Sequence, residues 1–131
     1  MPVPDYQTFM RPILELGVNG EISIRTCIER IAEQFQLSEE DRREPVPSGR
    51  QSKLDNRVSW ARIYLAKAGA VRVTRRAHFK TTERGRTLLT RYSGPIGTKI
   101  LRQFPEFLDF QKSKNTPVSG EGAASDGNAA A

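Results

Sequence analysis

The chain has 131 residues, of which 37% are hydrophobic, and carries 21 Lys and Arg against 15 Asp and Glu, a net charge of +6. This length predicts one domain of about 110 residues around one core. A single Cys excludes an internal disulfide, and no apolar run approaches the about 20 residues that span a bilayer. Residues 1–10 also lack the basic start and apolar stretch of a signal peptide, so we expect a cytoplasmic protein.

The first third of the chain predicts two amphipathic helices. Asp5 can cap the first, and Pro12 inside it predicts a kink or a regular helix that starts close to the proline. Residues 21–23 are long enough only for an edge piece of sheet. Apolar residues at helical spacing then predict a second helix over 24–35. Ser38, followed three residues later by an acid, resembles a capping box and predicts one short extra turn.

The central helix is predicted from about Ser52 to Ala68, with Gly69 closing it. We call it the recognition helix. Its first two turns are polar on the side opposite the apolar stripe, so we expect that end to be free to enter a groove. Its second half is apolar nearly all round, and we interpret Trp60 and Tyr64 there as core residues.

A basic hairpin follows the recognition helix. Residues 71–75 and 78–81 alternate in character, and Arg76-Ala77 joins them as a turn. Thr82 then caps a helix through Arg91. Two helices, a recognition helix and a basic hairpin in this order predict a mainly α fold with a small β-hairpin wing, the winged helix-turn-helix.

The C-terminal part predicts one more helix and a tail. The helix spans about residues 95–111, and its large apolar surface either caps the core or forms a homodimer. Residues 1–111 would then be the winged-helix domain. From residue 112 the composition shifts to Ser, Gly, Asn, Thr and Ala without aromatic residues, which is typical of a disordered linker or tail.

The positive charge is concentrated in the middle of the chain. Residues 42–102 carry 16 Lys and Arg and 3 acidic residues, a net charge of +13, whereas residues 1–41 carry −5 and residues 103–131 carry −2. Such segregation indicates a surface that meets a polyanion, the alternative being a solvated basic face without a ligand. Membrane surfaces are anionic too, but the element order favours double-stranded DNA. We expect a nucleoid-associated protein with no membrane partner.

Eight residues are the candidate DNA contacts, five around the start of the recognition helix and three on the wing: Arg50, Ser52, Lys53, Asn56, Arg57, Arg75, Arg76 and Lys80. Asn56 has an amide that can pair with adenine, hold a phosphate or simply lie on the helix surface. Arg57 contacts DNA or pins the helix to its neighbours through a salt bridge. The wing residues are expected to bind backbone phosphates.

Residues for catalysis are not found in a usable pattern. Gln51-Ser-Lys53 has the spacing of half a nuclease motif, but no strand precedes it. Cys27 and His78 are the only Cys and His, too few for a zinc site and distant in sequence for a nucleophilic pair. The glycine-rich phosphate-binding motifs are absent as well. We therefore expect no enzymatic activity, no metal and no cofactor.

Three segments carry a resemblance to a known family: SGRQSKLDNRVSWARIYLAKAGAV, TTERGRTLL and LRQFPEFLDF. From about Pro4 to Phe110 the chain resembles the N-terminal winged-helix domain of Mrr-type, modification-dependent restriction endonucleases. The resemblance implies a DNA-binding module joined by a linker to a magnesium-dependent nuclease of the PD-(D/E)XK class, and this chain stops where that nuclease would begin. The family's wing usually has a Gly near its tip, where this chain has Arg76-Ala77.

Three functions are therefore carried forward. The first is a DNA-binding module that targets a C-terminal nuclease domain to DNA, including modified DNA. The second is a self-standing winged-helix transcriptional regulator, which needs a homodimer to span two half-sites. The third is a protein-interaction scaffold, in which the FPEF segment docks a partner and the basic face only solubilises the chain.

Overall fold

The structure of the chain is a computed structural model that describes residues 3–114. Its helices are α1 (Met10–Gly17), α2 (Ile24–Gln34), α3 (Glu39–Arg43), α4 (Lys53–Lys67), α5 (Glu83–Arg91), α6 (Thr98–Leu101) and α7 (Pro105–Lys114). The strands are β1 (Ile22–Ser23), β2 (Val71–Arg75) and β3 (His78–Thr81). This mainly helical fold with a small antiparallel sheet confirms the predicted winged helix, in which α4 is the recognition helix and β2 and β3 form the wing.

Side-chain caps begin the helices where the sequence predicted them. The Ser52 hydroxyl caps α4 and the Thr82 hydroxyl caps α5 by accepting from a backbone N–H one turn ahead. Ser38 and Asp41 form the full capping box of α3. Asp5 caps a short 3-10 turn rather than α1, and the regular helix then begins two residues before Pro12, where a proline removes little hydrogen bonding.

The sheet has the strand order β1, β3, β2, so the predicted edge piece pairs with the wing. Val73 lies opposite Phe79, and a register irregularity follows before Arg75 pairs with His78. Ala77 at the tip has a φ of 60°, in the left-handed region that glycine adopts most easily. The turn therefore keeps a glycine-like conformation although alanine stands there.

The core lies around α4, which packs against the N-terminal turn, α1, α2, α3, β2 and α7. Tyr64 is buried, and Trp60 is half-buried against it with ring centroids 6.0 Å apart, which confirms that both pack in the core. Gly85 is held close to the Ala70 carbonyl, so a side chain there would collide with backbone. Over residues 3–114, no helix has both the length and the apolar character to cross a membrane.

The C-terminal helix differs from its prediction, because the segment forms two helices instead of one over 95–111. The break before Pro105 is expected, since proline disfavours helical conformation in the preceding residue and is well suited to a helix start. Phe107 is fully buried and packs against Tyr64, so this segment caps the core. Helix α7 continues to Lys114, past the predicted boundary at 112, and the rest of the predicted tail lies outside the described residues.

Candidate nucleic-acid interface

The wing presents a basic face to solvent. Phe79 is buried, so the neighbouring Lys80 points to the opposite face of the sheet, and Arg72 lies directly across from Lys80 on β2. Arg75 and Arg76 at the tip are exposed. Residues 71–81 contain four Lys and Arg and no acidic residue. The two strands therefore form one continuous basic surface.

Like charges opposite each other in a strand pair are destabilising by about 0.2–1 kcal/mol. Arg72 and Lys80 occupy such a pair, and neither makes an ion pair within the described part of the chain. Arg75 does have a partner, since its Nε donates to Glu21 Oε2 at 2.6 Å. This hydrogen bond is the main reason that the pKa of Glu21 lies below its usual value. Arg72, Arg76 and Lys80 are thus the wing cations that remain available to an anion.

The start of α4 differs from the wing, because its polar side chains form hydrogen bonds and a salt bridge with other residues of the protein. The Ser52 hydroxyl accepts a hydrogen bond from the Asp55 N–H at 3.1 Å. Lys53 Nζ lies 3.0 Å from Glu44 Oε2 in a salt bridge between α4 and the end of α3. Both side chains are half-buried. Both side chains thus have partners within the protein, and their contact with DNA stays a prediction.

Asn56 is the clearest correction. We expected its amide on the outer surface of α4, but only 2% of the residue is exposed and Nδ2 donates to Gln51 Oε1 at 3.1 Å. The loop before α4, which is pinned to it by a bridge between Pro45 and Ser52, brings Gln51 to this position. A buried, bonded amide cannot reach a base edge without rearrangement of this loop.

Arg57 pins the helix to its neighbours, as one of its two interpretations held, and backbone carbonyl oxygens are among its partners. Its Nη1 donates to the carbonyl oxygens of Val3 at 2.7 Å and of Pro4 at 3.2 Å. The N-terminal segment is thereby fastened to α4. Arg50, in contrast, is exposed in the loop that precedes α4, and its side chain makes no hydrogen bond to any residue between 3 and 114.

Two basic residues belong to the candidate site although the sequence analysis did not include them. Arg72 could have been found from the strand pattern, because alternation puts it on the solvent face of the wing. Arg62 on α4 is half-buried, and its Nε is buried without a hydrogen-bond acceptor in the part of the chain that the structure describes. Its isolation depends on what surrounds it in three dimensions, so no sequence pattern could have revealed it.

The residues that the sequence analysis considered for catalysis are buried or make contacts within the fold. Cys27 is fully buried in α2, and this burial raises the pKa of its thiol to about 12, which keeps it protonated at neutral pH. His78 lies on the wing and its Nδ1 is 2.7 Å from the Arg76 carbonyl oxygen. Gln51 accepts a hydrogen bond from Asn56, and Lys53 forms a salt bridge with Glu44. Within residues 3–114, no group of three His, Cys, Asp or Glu residues is arranged to hold a metal ion.

The fold and the basic hairpin define a winged-helix domain. The family model of the Mrr N-terminal domain matches residues 6–91, and the chain belongs to this family. The match covers everything from the N-terminal turn to the end of α5, while α6 and α7 lie beyond it. No curated protein and no solved structure matches the chain significantly.

Proposed function

We propose that this chain is the DNA-binding module of an Mrr-like restriction system protein, and that it contacts double-stranded DNA chiefly through the solvent face of its wing. The observation that carries the proposal is the pair Arg72 and Lys80, which lie opposite each other with no acidic partner between residues 3 and 114, beside Arg75 and Arg76. The chain itself has no catalytic role here. It would act in the cytoplasm, on nucleoid DNA, and bring a C-terminal nuclease domain to DNA, including modified DNA.

The physical basis is counterion release. The paired cations on the wing repel each other in the free protein, and a phosphate placed between them removes this repulsion while releasing the ions condensed on DNA. Phosphate contacts position a protein on the duplex but carry no sequence information directly. The wing therefore accounts for affinity and orientation, with Arg50 adding a further cation from the loop before α4.

Four to six phosphate contacts of this kind should make log K fall with log salt at a slope of about −4 to −5. The wing supplies up to four of them through Arg72, Arg75, Arg76 and Lys80. Arg75 contributes only if it shares or leaves Glu21, an exchange that an exposed ion pair allows at little cost. Sequence preference from the wing alone should be weak.

The double variant Arg72→Ala/Lys80→Ala tests this proposal. We expect weaker binding to every duplex tried and a salt slope flatter by about 2, because each phosphate contact contributes about 0.9 to the slope. Binding is measured by fluorescence anisotropy of a labelled 20-base-pair duplex at a series of salt concentrations. The folded state should be as stable as the parent or slightly more so, since the like-charged pair is gone.

The matched control is Arg30→Ala/Arg91→Ala, which removes the same charge from two exposed side chains away from the wing. It should reduce affinity only slightly, through the general field of the protein. If the two double variants lose the same affinity, net charge alone explains binding and the wing is not the interface. If the wing variant binds like the parent at all salt concentrations, the proposal is wrong.

A further inference from the structure

Arg62 is an unusual cation in the middle of α4. The described part of the chain has five half-buried arginines: Arg11, Arg42, Arg57, Arg62 and Arg84. Each of the other four donates to at least one backbone carbonyl oxygen. Arg62 makes no hydrogen bond and no ion pair with any residue from 3 to 114, and its Nε is buried without an acceptor. Its donors are therefore without partners among the described residues.

Within residues 3–114, Arg62 has no acidic partner. Burial lowers the pKa of its guanidinium, and the neighbouring group that acts on that pKa is the Cys27 thiol of α2. The thiol is protonated at neutral pH, because its own pKa is raised to about 12. An unpaired cation held partly away from water destabilises a fold, whereas a matching acceptor offsets much of that cost. Arg62 is therefore a charge for which folding alone provides no reason.

The position of Arg62 on α4 suits an external ligand. At 100° per residue it is turned about 160° away from Tyr64, whose side of the helix is covered by the N-terminal turn and α7. Helix α4 also packs directly against β2, the strand that carries Arg72. With Nε buried, the guanidinium can offer only its outer Nη donors, which form an end-on fork.

We propose that Arg62 is the direct contact from α4 to duplex DNA, and that its Nη donors bind a pair of acceptor oxygens or nitrogens on the DNA. This inference rests on the proposed function, because it needs the wing to hold the duplex against α4. Two parts of DNA offer such a pair, namely the oxygens of a phosphate and the O6 and N7 edge of a guanine. The inference moves the helix contact from the start of α4 to its third turn.

The variant Arg62→Met tests the inference, because methionine keeps much of the side-chain volume and removes the charge. We expect its thermal midpoint to rise by about 4 °C, since replacing an unpaired, desolvated charge by an apolar side chain stabilises the fold. We expect affinity for DNA to fall about tenfold or more. A rise in stability together with a fall in DNA affinity is expected of a residue that binds a ligand at a cost to the stability of the fold. A residue with only a structural role would lower both.

The matched control is Arg30→Met, an exposed arginine of α2 without a hydrogen bond or ion pair to the described residues. It should leave the thermal midpoint and the affinity close to those of the parent. Two 20-base-pair probes are used, one of A·T pairs only and one of G·C pairs only. Equal losses on both and a salt slope flatter by about 1 identify a phosphate, and a loss confined to the G·C probe identifies guanine.

Two results overturn the inference. Arg62→Met could bind both probes like the parent, or it could lower the thermal midpoint and thereby show that Arg62 supports the fold. Either result leaves the proposed function intact as long as the parent binds duplex DNA and Arg72→Ala/Lys80→Ala binds it more weakly. If the parent itself binds neither probe, the proposed function fails together with this inference.

Discussion

The wing and the start of α4 are both rich in polar and basic residues, but the structure uses them in opposite ways. On the wing, Arg72, Arg76 and Lys80 have no acidic partner among the described residues. At the start of α4, Lys53 is tied to Glu44 and Arg57 to the N-terminal carbonyls. The same residue types therefore provide a free surface in one region and internal fastening in the other. Counting charges along a chain does not separate these two uses.

The difference follows from local geometry. A two-stranded wing has one face on the core and one face in water, so every second side chain is exposed by the alternation of the strand. Helix α4 is surrounded by six other elements, and long side chains near its start meet backbone carbonyls and acids of those elements. The cationic side chains of a solvent-facing wing therefore remain available to a ligand, whereas those of a central helix make contacts within the protein.

The strongest test of this comparison is Arg57→Ala. We expect a loss of about 2–3 kcal/mol in the free energy of unfolding, because two carbonyl oxygens lose a charged donor and the N-terminal segment is released. Urea denaturation followed by the fluorescence of Trp60, the only Trp in the chain, measures the change. DNA affinity, measured under conditions where the variant is folded, should change little.

Arg50→Ala is the matched control for Arg57→Ala. Arg50 lies in the exposed loop before α4, so its removal should leave the free energy of unfolding unchanged and weaken DNA binding modestly. The comparison fails if the two variants behave in the reverse way, with Arg57→Ala impairing binding and Arg50→Ala impairing stability.

Asn56→Ala should have a smaller effect of the same kind. We expect a loss of about 1–2 kcal/mol in stability, because Gln51 Oε1 loses its donor and the loop before α4 loses an anchor. Ser59→Ala, on a half-buried position one turn further along α4, should change stability by less than about 0.5 kcal/mol. If Asn56→Ala weakened DNA binding while stability stayed at the parent value, Asn56 would be a base-reading residue after all.

Ala77→Gly should have the smallest effect, and it sharpens the view of the wing. Ala77 has a φ of 60°, a conformation that costs an alanine about 1 kcal/mol and a glycine almost nothing. Part of this gain is lost to the greater freedom of glycine in the unfolded chain, so we expect a net stabilisation of about 0.5 kcal/mol. Thermal denaturation measures it, and a loss of stability would contradict strain at the tip. DNA affinity should be unchanged because no charge is altered.

Much of the fold could be predicted from the sequence, since its signals are local. The caps at Ser38, Ser52 and Thr82 lie at the predicted helix starts because a hydroxyl and a backbone N–H three residues on meet within one turn. The wing strands could be predicted because alternation is visible over four or five residues. The prediction of a single helix over 95–111 was wrong. It followed the apolar residues of the segment and gave too little weight to Pro105, which disfavours helical conformation in the residue before it.

The sequence by itself determined the order of elements, the family of the domain and the concentration of charge in its middle. Only the tertiary structure decided which of those charges remain free. Arg57 finds its acceptors about 54 residues away in the chain, and Asn56 is buried by a loop that folds back on α4. Among the described residues, the group that acts on the charge of Arg62 is the neutral Cys27 thiol of another helix, and not a carboxylate. Such long-range contacts depend on how helices and loops pack together, and they cannot be read from side-chain type and spacing along the chain.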